Sequence, residues 1–109
     1  MDKLTNLYMD YVENGNEKSF GKLYSALYNI LKSKFGGNTI FSNPDYVLTF
    51  DDIFQETIIK LYNKKSQFNS NKANIVTYSY TIFRNKLIDE QRRKKLHKVN
   101  IDINNVYLI

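Results

Sequence analysis

The chain has 109 residues, 42% of them apolar and 25% charged, with a formal net charge of +5 and no cysteine. That length suits one domain with one core, and the absence of cysteine excludes disulfides and thiolate metal sites. No apolar run approaches the roughly 20 residues needed to span a bilayer, and the start, MDKLTNLYMDYVE, lacks the apolar centre of a secretory leader, so a cytoplasmic location is the default expectation.

In chain order, Leu4, Leu7, Tyr8, Tyr11 and Val12 recur at helical spacing, and Asn14-Gly15 predicts the end of a first helix. Asn16 can cap a second helix, whose apolar stripe is Phe20, Leu23, Tyr24, Leu27, Ile30, Leu31 and Phe35. Gly36-Gly37 predicts its end, as glycine does where φ must turn positive. Residues 38–49 hold the only proline and show no helical period; they read as a loop with a short turn of helix after Pro44. Thr49, three residues before Asp52, is a capping-box-like start for a third helix reaching about Lys65. Residues 66–74 form a polar connection around Phe68, and a fourth helix is expected over 75–97, with a tail at 98–109 that reads as the start of a linker. No repeat or low-complexity tract interrupts this pattern. The fold expected is all-α, a compact bundle of about four main helices in one domain over residues 1–97.

The third helix gathers Phe50, Ile53, Phe54, Thr57, Ile58 and Leu61 on a core face, since each residue advances the helix by about 100°. Its other side collects Asp52, Gln55, Glu56, Ile59 and Asn63. A single exposed isoleucine is common on any surface. Ringed by acids and amides, Ile59 also fits the apolar centre of a protein contact with a polar rim.

On the fourth helix, Val76, Tyr80, Phe83 and Leu87 form the expected core stripe. Tyr78, Thr81, Asn85, Ile88, Arg92 and Lys95 follow the same spacing on nearly the opposite side, flanked by Arg84, Lys86 and Arg93. Such a set suits nucleic acid: rings stack on bases, Asn bonds base edges, and Arg or Lys holds phosphates. Residues 84–98 hold seven bases against Asp89 and Glu90, a local +5, so one segment carries the chain's whole imbalance. Clustered bases are the footprint of a polyanion partner, although cations also favour the C-terminal end of a helix dipole. Charge alone leaves both open.

Catalytic chemistry finds little support. His97 is the only histidine and stands in the basic run. Asp51, Asp52 and Glu56 lie near one another but have no partner in the sequence to complete a divalent-metal shell. No phosphate-cradling glycine loop is present. The chain does not read as an enzyme, and no cofactor is expected.

The stretches FDDIFQETIIKLYNKKSQF and IVTYSYTIFRNKLIDEQRRKK, in this order, resemble region 2 of bacterial sigma factors, most closely the small extracytoplasmic-function class. NEKSFGKLYSALYNILKSKF is similar, more weakly, to the family's preceding helix, and VNIDI to the opening of its linker. The likeness covers roughly residues 16–103. It implies a transcription initiation factor of the sigma domain 2 type that binds core RNA polymerase. Asp51, Asp52, Gln55, Glu56, Ile59 and Lys60 match positions that dock on the clamp coiled coil of the beta-prime subunit. Tyr78, Thr81, Ile82, Asn85, Ile88 and Arg92 match the face that meets the melted, AT-rich promoter element on the non-template strand. The loop Asn69–Asn74, with Asn69, Ser70, Asn71 and Lys72, matches the segment that pockets a flipped-out base. An anti-sigma factor becomes a candidate partner.

Three departures from the family stand out. Thr81 and Ile82 occupy the places of two tryptophans in primary sigma factors, so strand capture is expected more than forceful melting. Loop 36–49 is longer than the family's. The family's second domain, a helix-turn-helix, is not within these residues, and the apolar finish VYLI reads as a cut. The alternative is a sigma-like regulator of a phage or mobile element that occupies the polymerase clamp without reading a promoter. A third possibility is a helical interaction domain solubilised by its basic tip.

Overall fold

A computed structural model describes the backbone of residues 1–44, 48–63 and 67–108, and side chains among these as far as Arg93. Four α-helices carry the fold: α1 (Lys3–Asn14), α2 (Glu17–Phe35), α3 (Phe50–Asn63) and α4 (Ile75–Leu108), with a 3-10 turn at Thr39–Ser42 between α2 and α3.

The α1–α2 hairpin follows from its polar punctuation. The Asp2 carboxylate caps α1, accepting from the Thr5 backbone N–H at 2.9 Å and the Thr5 hydroxyl at 2.7 Å. Gly15 closes α1 at φ 68, the left-handed conformation that glycine adopts without steric cost. Asn16 then caps α2 through the backbone of Lys18 and Ser19. Asp10 fastens the corner by accepting from Asn14 and Asn16 amides, both at 2.7 Å, and from the Ser19 hydroxyl. These bonds, the Ser19 one foremost, hold the Asp10 carboxyl below its ordinary value.

The end of α2 departs from expectation. Gly36 stays right-handed at φ −59, and Gly37 has no positive φ either. Glycine is suited to position 36 by space: a Cβ there would meet the Lys32 carbonyl oxygen at 2.5 Å. The short turn also falls earlier than expected, at Thr39–Ser42, where Asn38 caps it by accepting from the Ile40 N–H at 3.0 Å. The stretch directly after Pro44, at 45–47, lies outside the described residues, as does the expected end of the third helix at Lys65.

The capping box that opens α3 is reciprocal. The Thr49 N–H donates to the Asp52 carboxylate and the Asp52 N–H to the Thr49 hydroxyl, each at 3.2 Å. At the other end, the last carbonyls of a helix lack intrahelical donors. Two tyrosines of α1 serve as donors: Tyr8 to the Leu61 carbonyl at 2.7 Å and Tyr11 to the Tyr62 carbonyl at 3.3 Å. Burial pushes the Tyr8 hydroxyl far above its ordinary value, so it stays protonated and remains a donor.

Asn74 caps α4 by accepting from the Thr77 N–H at 2.8 Å, and the Ile75 N–H donates to the Thr5 hydroxyl at 3.0 Å. The helix does not stop near residue 97. Its backbone continues to Leu108, because no Gly or Pro follows Ile75 to break it. All six expected core residues of α3 are buried. In α4 the core stripe starts one residue earlier than the spacing suggested: Ile75 and Ser79 are fully buried, with Ile82, Phe83 and Leu87. Val76 is only half-buried and Tyr80 is 36% exposed. Phe83 stacks on Phe35 at 4.5 Å and packs against Phe50 at 5.1 Å, joining α2, α3 and α4 in one aromatic centre.

Candidate functional site

The outward side of α3 carries Asp51, Asp52, Gln55, Glu56, Ile59 and Lys60, all exposed. Ile59 is 55% exposed. Rings of α2 hold the rim around it. The Gln55 amide donates to the Tyr24 hydroxyl at 2.9 Å, and the Tyr28 hydroxyl donates to Asp51 at 3.0 Å. That carboxylate pushes the Tyr28 hydroxyl above its ordinary value. The result is an apolar projection with anchored polar groups beside it, a geometry suited to a protein contact.

α4 has a second exposed surface of different chemistry. Thr81, Arg84, Asn85 and Arg92 are exposed on it and Ile88 is half-buried. Ile82, expected among them, is turned into the core at 6% exposure, in phase with Ser79 and Phe83. Two flanking cations lean toward α3 instead. Lys86 lies 3.7 Å from the Glu56 carboxylate, and Arg93 pairs with Glu90 at 2.6 Å while lining a hollow with Leu48, Asp52 and Gln55. The side chain of Lys95 lies outside the described residues, as does that of His97.

Tyr78 is half-buried because a ring packs against it. Phe68 meets Tyr78 edge to face at 5.2 Å and Tyr8 in the same way at 5.3 Å. The following loop is tied into a turn: Asn69 accepts from the Asn71 N–H through its side chain at 2.9 Å and from the Lys72 N–H through its carbonyl at 3.1 Å. Asn69, Asn71 and Lys72 are exposed, while Ser70 is half-buried. Between this loop, the end of α3 and α4 runs a groove lined by Lys60, Gln67, Ala73, Thr77, Tyr78, Thr81 and, at its floor, the otherwise buried Ile82. It is mixed in character, with one cation, three hydroxyls, one of them on a ring, an amide and two apolar side chains. Spacing along α4 did not pick out Gln67, Ala73 or Thr77. The Asn74 cap is the signal that could have found Thr77, because it fixes where the helix begins.

The groove and both faces have the features of binding surfaces. Among the described residues no group of His, Cys, Asp and Glu is placed to hold a metal ion, and no helix is long and apolar enough to cross a membrane. The family model described as Sigma-70 region 2 matches residues 20–97. No curated protein and no solved structure matches the chain significantly.

Proposed function

The chain belongs to the sigma-70 region 2 family, and from that premise we propose that its two exposed faces divide the work of transcription initiation. The family is one of non-enzymatic initiation factors that bind core RNA polymerase and promoter DNA. The α3 face, centred on Ile59 and rimmed by Asp51, Asp52, Gln55, Glu56 and Lys60, docks on the clamp coiled coil of the beta-prime subunit. The α4 face meets the non-template strand of the melted promoter element through Thr81, Asn85, Ile88 and Arg92. Tyr78 borders the groove that receives an unstacked base, and the turn at Asn69–Lys72 connects two of its lining residues, Gln67 and Ala73. Flipping a base costs a few kcal/mol, which stacking and hydrogen bonds in such a groove offset.

One observation supports this division above the others. α3 and α4 pack against each other, yet α3 presents carboxylates around an exposed isoleucine while residues 75–88 of α4 contain no carboxylate at all. The test is a pull-down on core polymerase with wild type and an Ile59→Asp, Gln55→Ala double variant. Loss of a central apolar anchor weakens binding by at least about tenfold; equal binding sinks the docking assignment. For the DNA face, Tyr78→Ala and Asn85→Ala weaken binding to one single-stranded sequence more than to scrambled ones. Arg92→Ala instead weakens all sequences and flattens the salt slope by about 0.7.

A further inference from the structure

Tyr78 and Tyr80 are two residues apart, so they lie about 200° apart around α4 and stand on its opposite flanks. The Tyr78 flank borders the base-binding groove. The Tyr80 flank was expected in the core, and the structure exposes it. There the Tyr80 ring rests on Phe35 at 4.9 Å, and Phe35 stacks in turn on Phe83, so the platform is fixed to the core. Lys34, at the end of α2, places its ammonium 5.7 Å from the centre of the Tyr80 ring. Lys34, Val76, Thr77 and Tyr80 line a groove on this side, and Arg84 is exposed one turn further along α4.

We propose that this second groove, with Tyr80 as platform and Lys34 and Arg84 as phosphate contacts, holds single-stranded DNA that has crossed the exposed face of α4. The inference rests on the reading of α4 as a strand-binding face. It is supported by charge. Past its first residue, Glu17, which stands at the far end of the helix from Lys34, α2 lies in residues 18–44, and the first half of α4 lies in residues 57–88; neither stretch contains Asp or Glu. A polyanion therefore meets no carboxylate from either wall. The chemistry is that of a single-strand track: an aromatic face for a base, which every base can use, and cations for the backbone. Lys34 is no obstacle to stacking. Its four-carbon stem is flexible, and its exposed contact with the ring is weak beside a contact with a phosphate.

The test is fluorescence anisotropy of the full chain with labelled oligo-dT of about 20 nucleotides, longer than the track of one small module. Lys34→Glu lowers affinity and reduces the salt slope by at least about 0.7, the value for one phosphate contact. Tyr80→Ala lowers affinity by about tenfold while Tyr80→Phe retains it. Because Tyr80→Ala also removes a ring from Phe35, Lys34→Glu, which changes only an exposed side chain, is the decisive variant. If it and Tyr80→Ala bind as wild type does while Tyr78→Ala is weakened, the second groove is refuted and the α4 reading survives. If Lys34→Glu weakens binding and Tyr78→Ala does not, the second groove stands and the Tyr78 flank loses its role. Failure of wild type to bind at low salt overturns both.

Discussion

Ser79 is fully buried in α4, and its hydroxyl has no hydrogen-bond partner among the described residues. A buried polar group left unpaired costs about 1–3 kcal/mol, and alanine is also the better helix former. Ser79→Ala therefore raises stability by about 1 kcal/mol, visible as a melting temperature higher by about 4 °C or more. A drop would mean that the hydroxyl has a partner. Tyr8 provides the opposite case. Its hydroxyl satisfies a carbonyl at the buried end of α3, so Tyr8→Phe costs about 1–2 kcal/mol in a denaturant titration. The Tyr62 hydroxyl donates to Glu17 at an exposed site, and Tyr62→Phe stays within about 0.5 kcal/mol of wild type.

Among the elements, the α1–α2 hairpin rests on two carboxylates whose acidity the fold shifts. Asp10 and Asp2 both lie below the ordinary 3.8 when folded, the first through Ser19 and its neighbouring amides and the second through the Thr5 hydroxyl. A depressed folded value means stability that is present in full above 3.8 and lost as pH falls through the lower folded value. Acid titration followed by circular dichroism should show that loss below pH 3.8, and Asp10→Asn should make it shallower. These helices are legible in the sequence because their signals are local. Asn16, Thr49 with Asp52, and Gly15 each act within three or four residues, and α3 alternates cleanly between apolar and polar sides. α4 is harder to read because its core face includes Ser79, which carries no hydrophobic signal. Tyr80 sends a false one, since a tyrosine ring can rest its body on Phe35 and still face water. That shift of phase places Tyr80 inside by spacing, while Ile82, set on the DNA-facing side only by the family resemblance, is 6% exposed and lines the groove by Tyr78. The outward set of Thr81, Arg84, Asn85 and Arg92 is legible because charge and amide groups rarely enter a core. The groove by Tyr78 is not, because it needs Lys60, Gln67 and Thr77 from three parts of the chain to meet.

For the molecule as a whole, the two faces touch at Lys86 and Glu56, 3.7 Å apart with side chains 40% and 49% exposed. A pair this exposed holds the helices together weakly. A double-mutant cycle on Lys86 and Glu56 should return less than about 1 kcal/mol of coupling, and a larger value would mean that the pair fastens α3 to α4. Beside their direct packing, in which Phe83 meets Phe50, a further tie between them is α1. Tyr8 and Tyr11 bond the end of α3, Thr5 bonds the start of α4, and Tyr8 supports Phe68 on the connection between them. The α1 members of these contacts, Thr5, Tyr8 and Tyr11, all precede position 20, where the family match begins. A gene fragment trimmed to residues 20–97 would carry the whole family match and still leave α3's terminal carbonyls without their tyrosine donors and Phe68 without one of its two ring contacts, that to Tyr8. Such a fragment should express as a loose ensemble with poorly dispersed amide resonances. In dissecting or transplanting this module, the safe place to cut is therefore upstream of Asp2.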